Sequence, residues 1–132
     1  MIYGGTVRGL MSGARVRRFA RGLGNALGLP RTATAIVDLL VRTSGHLSIA
    51  EIVKRVKMSE RSVRGNIALL VRRGLLERRP VVTAKNRLAY LYRLRPQEDV
   101  LRAVRSQFDR NLLSLRRAAR RSNPRTASFG RS

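Results

Sequence analysis

Residues 48–76, SIAEIVKRVKMSERSVRGNIALLVRRGLL, read as two short helices joined by a tight turn, with an exit into a strand. Ser48 followed by Glu51 is a capping box: the hydroxyl accepts from an orphan amide, and the carboxylate reaches back to the cap's own amide. Ile49, Ile52, Val53 and Val56 then recur at helical spacing, which marks a short amphipathic helix with one buried side. Lys57-Met58 makes the turn, with Met58 as its apolar plug. Ser59 is a second N-cap, opening a helix whose buried stripe is Val63, Ile67, Leu70 and Val71. Gly74 falls where a left-handed C′ residue would stop it, and Leu75-Leu76 lead into the next element.

The opposite face of the second helix carries the functional signal. At 100° per residue, Arg61, Gly65, Ala68 and Arg72 point away from the stripe, flanked by Ser62, Arg64 and Arg73. Two small residues between arginines let a helix backbone approach a groove floor while long basic side chains reach out on either side. That pattern predicts a recognition helix in the DNA major groove, with arginine available for guanine or phosphate. A solvated basic face is the plainer alternative, and the capped pair followed by a hairpin argues against it.

Bulk composition points the same way. A net charge of +22 on 132 residues calls for a polyanion, an anionic membrane or very strong solvation. Lys54, Lys57 and Lys85 are the only lysines among 29 basic residues. Arginine's planar, weakly hydrated fork suits phosphate and guanine better than lysine's point charge does. Nucleic acid is therefore the leading partner, with salt-sensitive binding from counterion release. Cysteine is absent, which excludes disulfides and thiolate metal sites and fits a reducing compartment. No apolar run approaches the ~18–20 residues of a membrane span, and the N-terminus lacks the continuous apolar stretch of a secretory signal.

Taken in order, residues 1–28 form a basic, glycine-rich arm. Its first 13 residues are expected to be disordered, with Met11 an alternative start. Over 14–28, Val16, Phe19, Leu23 and Leu27 share a helical stripe among Arg15, Arg17, Arg18 and Arg21. Gly22, Gly24 and Gly28 each cost about 1 kcal/mol against helix. Docking on the body or a partner subunit is the favoured reading of this stretch; a basic arm on DNA and a surface-seeking amphipath are the alternatives.

The folded domain spans 29–95. Pro30 suits a helix's first position, Ala33, Ile36, Val37, Leu40 and Val41 supply an apolar face, and Thr43-Ser44-Gly45 ends it. His46, the single histidine, reads as a loop residue with no ligand set around it. Leu76–Thr83 and Leu88–Leu94 are strand-like, with Leu88, Tyr90, Tyr92 and Leu94 on one side and Asn86 well suited to the turn between them. Arg78, Arg79, Lys85, Asn86 and Arg87 make this hairpin a basic, DNA-contacting one, touching phosphates or the minor groove; charges guarding a sheet edge are the alternative.

Pro96 starts a long helix over 96–121, with Glu98 and Asp99 where the macrodipole favours acids. Leu101, Val104, Phe108, Leu112 and Leu115 recur at spacings of three and four, as a dimer seam would; packing back on its own domain is the alternative. Val100 joins this stripe, Arg116–Arg121 is a cationic end, Asn123-Pro124 stops the helix, and 122–132 is a basic disordered tail. The fold class is thus mainly α with a small β-hairpin (α+β).

Helix, capped helix pair, basic hairpin and long helix follow in the order of a winged helix-turn-helix. The residues resemble the archaeal sugar-regulator (TrmB-like) and MarR-like transcriptional regulators. LGLPRTATAIVDLL (27–40) looks like their first helix, and GHLSIAEIVKRVKMSERSV (45–63) like the stretch that runs into the recognition helix. LLVRRGLLERR (69–79) looks like the exit into the wing, and YLYRLRPQEDVL (90–101) like its closure. The resemblance implies that Ser59, Arg61, Ser62, Arg64 and Gly65 face DNA, with Lys85 and Arg87 on the wing. Arg64 stands where TrmB-like proteins often have an aromatic residue, so their base preference does not transfer. Their C-terminal effector domain has no counterpart here, so sugar sensing is not implied.

The resulting expectation is a homodimeric transcriptional regulator of double-stranded DNA, cytoplasmic and nucleoid-associated, with no cofactor and no membrane partner. An architectural DNA binder with little sequence preference and an RNA- or ribosome-associated protein are the alternatives. Without a phosphate-cradling loop, a nucleophile–histidine–acid set or an acidic cluster, an enzyme is not expected.

Overall fold

The computed structural model describes residues 13–122, and these carry five helices and a three-stranded antiparallel sheet. In chain order they are α1 (Gly13–Leu27), α2 (Arg31–Arg42), β1 (Leu47–Ser48), α3 (Ile49–Val56), α4 (Glu60–Arg72), β2 (Leu76–Val82), β3 (Leu88–Leu94) and α5 (Gln97–Ser122). The readings of residues 1–12 and 123–132, including the alternative start and the end of the last helix, lie outside the described residues.

One apolar core joins the helices and the sheet. Ala33, Ile36, Val37, Leu40 and Val41 of α2, Ile52 of α3, and Val63, Ile67 and Leu70 of α4 are all buried. Leu75, Leu76, Tyr92 and Leu94 close it from the hairpin, and Val100 from α5. Truncating a fully buried member such as Ile52 or Leu70 to alanine costs about 2–5 kcal/mol. Of the four apolar positions on α3, Ile52 alone is fully buried; Ile49, Val53 and Val56 pack on the core's edge.

The arm helix belongs to this core. Val16, Ala20, Leu23 and Leu27 are buried and Phe19 packs beside them, so α1 docks on α2 and on the base of α5. Glycine is what makes the docking tight: a Cβ on Gly24 would lie 2.5 Å from Thr34 Oγ1. Tertiary burial outweighs the propensity cost that made the helix marginal on its own.

Helix ends follow the sequence closely. Both halves of the Ser48/Glu51 capping box form, at 3.1 Å to Ser48 Oγ and 2.9 Å to Glu51 Oε1. Hydrogen bonding to the carboxylate by the Ser48 amide, then by the Ser48 side chain, holds the Glu51 carboxyl below its ordinary value. Ser59 Oγ accepts from the Ser62 amide at 3.1 Å. Gly28 and Gly74, at φ +64° and +78°, end α1 and α4 by the same pair of backbone bonds: each glycine amide donates three residues back, to Asn25 and Val71, and the next amide five residues back, to Gly24 and Leu70. Lys57 takes the left-handed conformation (φ 56°) between α3 and α4. Pro30 and Pro96 stand one position earlier than expected, just before α2 and α5 rather than as their first residues.

The sheet is one strand larger than the hairpin alone. Leu47 and Ser48 pair with Tyr92 and Leu91, giving the order β1-β3-β2. Ser48 thus serves at once as a strand residue and a helix cap. Registers of Leu76 with Leu94 and Val82 with Leu88 place Arg78, Pro80, Tyr90 and Tyr92 on one face and Glu77, Arg79, Leu91 and Arg93 on the other.

α5 runs for 26 residues, about 39 Å at 1.5 Å per residue. Val100 is buried and Ala103 and Val104 are half-buried against the core. From Phe108 to Arg121 every side chain is exposed.

Candidate nucleic-acid interface

α4 presents Arg61, Gly65, Ala68 and Arg72 to solvent along one line, opposite the buried Val63, Ile67 and Leu70. A Cβ built on Gly65 has nothing within 4 Å. The chain's own packing therefore gives no reason for glycine there, although glycine costs about 1 kcal/mol in a helix interior. The strip is a shallow, small-residue floor between guanidinium groups.

The flanking residues divide into outward and inward ones. Arg64 donates through Nε to Glu60 Oε2 at 2.8 Å, both side chains well exposed, which anchors the guanidinium at its base. Ser62 is half-buried: its hydroxyl donates to Met58 Sδ at 3.9 Å and accepts from Asn66 Nδ2 at 3.4 Å. Met58 is held by this contact and by the core. Arg73 departs from the flanking role read in the sequence. It turns into the body, where its terminal nitrogen donates to the Leu27 carbonyl at 2.6 Å and ties the end of α4 to the end of α1. Asn66, on the same edge, is bonded to Thr32 of α2 at 3.1 Å.

On the other edge of α4 the hairpin stands as a wing. Arg64, Arg72 and Arg78 rim a concavity of about 230 Å³ floored by Ile67, Val71 and Tyr92. The Arg78 guanidinium lies 4.5 Å from the centre of the Tyr90 ring, a cation–π contact that holds it on the face turned toward α4. Arg79, its neighbour, lies on the opposite face; the two arginines do not act on one surface. Alternation along the strand carries that separation, and it is a signal the sequence offers.

The wing tip is a tight turn. Asn86 donates its amide to the Thr83 carbonyl at 2.9 Å, and the Thr83 amide donates to the Arg87 carbonyl at 2.8 Å. Asn86 takes φ +59°, which asparagine tolerates better than most residues. Lys85, Asn86 and Arg87 are exposed at the tip, and Val82 and Leu88 beneath them are 69% and 65% exposed.

Behind the wing, Arg93 grips Glu77 Oε2 through two nitrogens at 2.9 and 3.0 Å, with His46 Nε2 at 4.0 Å from the same oxygen. Burial, then the charges of Arg93 and Arg79, hold the imidazole's pKa below its ordinary 6.5, against a smaller opposing pull from Glu77. Among the described residues no group of three or more His, Asp or Glu side chains could hold a metal ion. No helix among them is long and apolar enough to cross a membrane.

A capped helix pair with an exposed basic second helix, flanked by a basic hairpin, defines a winged-helix fold. Residues 27–85 match the family model described as "MarR family". A possible transcriptional regulator from Methanosarcina mazei Go1 is similar in structure, with TM-score 0.65 and 12% identity over 76% of this chain and 86% of that one. A second solved transcriptional regulator is similar with TM-score 0.54 and 23% identity over 89% of this chain and 84% of that one. No curated protein matches the chain in sequence. Residues 27–85 are thus similar to the MarR family, in a winged-helix fold shared with these solved structures.

Proposed function

We propose that the protein is a dimeric, sequence-preferring transcriptional regulator of double-stranded DNA. α4 enters the major groove with Gly65 and Ala68 nearest its floor, and Arg61, Arg64 and Arg72 reach bases and phosphates. Ser59 and Ser62 approach the backbone at the start of that helix. Arg78, Lys85, Asn86 and Arg87 bring the wing onto phosphates or the minor groove. Arg79 contributes charge from the wing's other face. Two copies join through the exposed Leu101, Phe108, Leu112 and Leu115 of α5, with half-buried Val104 at the base of the seam. Their recognition helices then meet successive major grooves about 34 Å apart.

The observation that carries this reading is Gly65: a mid-helix glycine with open space where its side chain would be, set between arginines. Footprinting on genomic fragments tests it and should show a protected inverted repeat. In competition at defined salt, Arg61→Ala and Arg64→Ala should each weaken the footprinted site by about 1–3 kcal/mol and bulk DNA by less. Equal losses on every sequence would remove the base-reading role.

A second reading draws on the charge of +22, which raises non-specific affinity and erodes discrimination. On that reading the same surface binds DNA architecturally, and bulk DNA competes as well as any promoter.

A further inference from the structure

The α1–α2 hairpin carries a feature that the recognition surface does not use. Between the two helices runs an open groove of about 480 Å³ floored by Ala20, Gly24 and Ala35 and rimmed by Arg17, Arg21 and Arg31. All three arginines are exposed, and none has a carboxylate partner among the described residues. The groove's acid, Asp38, is already ion-paired with Arg42. Three guanidinium groups from two helices therefore face one channel with their charge uncompensated.

This channel is separate from the surface of α4. Thr32, the residue of α2 bonded to Asn66, lies about 100° round the helix from Arg31, and the buried Ala33, Val37 and Leu40 occupy the side away from the groove. From Arg17 to Gly24 the channel follows α1 for about 10 Å, the rise of roughly three nucleotides along one strand. A row of forked cations over small side chains matches a phosphodiester backbone, which arginine binds through paired N–H groups.

We propose that this groove is a second polyanion site, which holds the backbone of a duplex other than the one under α4. One molecule would then bridge two DNA segments. A lipid surface is the poorer fit: among the described residues, α1 and α2 expose no large apolar side chain to enter a bilayer. The proposal rests on the regulator reading only for the first duplex.

The test immobilises a duplex carrying the footprinted site, loads full-length protein, and measures capture of a labelled second duplex. Wild-type protein should capture it. The triple variant Arg17→Gln, Arg21→Gln, Arg31→Gln should hold the first duplex within about twofold, capture the second about tenfold less, and lose about 2–3 from the salt slope of capture. The corresponding triple lysine variant should keep most of the capture, because the charge remains. The single Arg21→Glu variant, at an exposed helical position, should lose capture even if the triple glutamine variant does not fold. Undiminished capture by the folded charge-removing variants would overturn the proposal. So would equal loss on both duplexes, which would make the groove part of the first site. Intact capture with lost binding to phosphatidylglycerol vesicles would overturn it in favour of a membrane. Wild-type protein that holds the first duplex but captures no second overturns the groove alone; protein that holds neither removes the regulator reading as well.

Discussion

Two glycines at helical positions show how differently one residue type is used. At Gly24 the neighbouring helix fills the space, so Gly24→Ala should destabilise by about 1 kcal/mol or more despite alanine's better propensity, because β-branched Thr34 is stiff. Pairing it with Thr34→Ala should restore stability in denaturant melts; a Gly24→Ala protein more stable than wild type would mean the crossing is loose. At Gly65 nothing fills the space. Gly65→Ala should therefore stabilise by about 0.5–1 kcal/mol, while Gly65→Gln should weaken DNA binding without unfolding the protein. Undiminished binding by Gly65→Gln would take away the chief support for the proposed docking. His46 offers a third check. Its folded pKa lies below its unfolded one, so its neutral form stabilises fully above about pH 6.5, and stability falls as pH drops through that value toward the folded pKa. His46→Gln should flatten that part of the melting-temperature profile, and an unchanged slope would assign the effect elsewhere.

At the scale of elements, legibility tracked how local the determining interactions are. Ser48, Glu51, Ser59 and Gly74 act within four residues, so the ends of α3 and α4 could be read from the chain. β1 could not: two residues give no periodicity, and its pairing partner lies more than forty positions away. The inward turn of Arg73 is equally non-local, since the Leu27 carbonyl that draws it in is exposed only by the end of another helix. For α1 the residues pointed both ways, because glycine propensity speaks against a helix that packing nevertheless stabilises. The exposed basic side of α4 was legible as a pattern; which of its edges turn outward was not. On the wing, Lys85→Ala and Arg87→Ala should weaken footprinted and random DNA alike, each lowering the salt slope by about 1. Arg78→Ala should cost more affinity than Arg79→Ala, because only Arg78 shares a face with the groove beside α4. The reverse ranking in salt titrations would place the duplex on the other side of the sheet.

For the molecule as a whole, α5 carries most of the exposed large apolar side chains among the described residues. Leu101, Phe108 and Leu115 are 48%, 65% and 67% exposed, and they follow one line about a quarter-turn from the side that carries Val100 into the core. Val104, counted with the seam by its spacing, is half-buried on the body instead, so the stripe passes from intramolecular to open contact within one turn. Phe108→Arg should convert a dimer to a monomer in sedimentation; unchanged mass would show that this line is not the seam.

Because the projecting rod is continuous with the body, its heading is fixed by residue count. Deleting one amino acid between Val104 and Phe108 would swing everything beyond it through about 100° and draw it in by about 1.5 Å. Homologues that vary the length of this segment should therefore do so in steps of seven, the interval that returns the same side of the rod to nearly the same bearing.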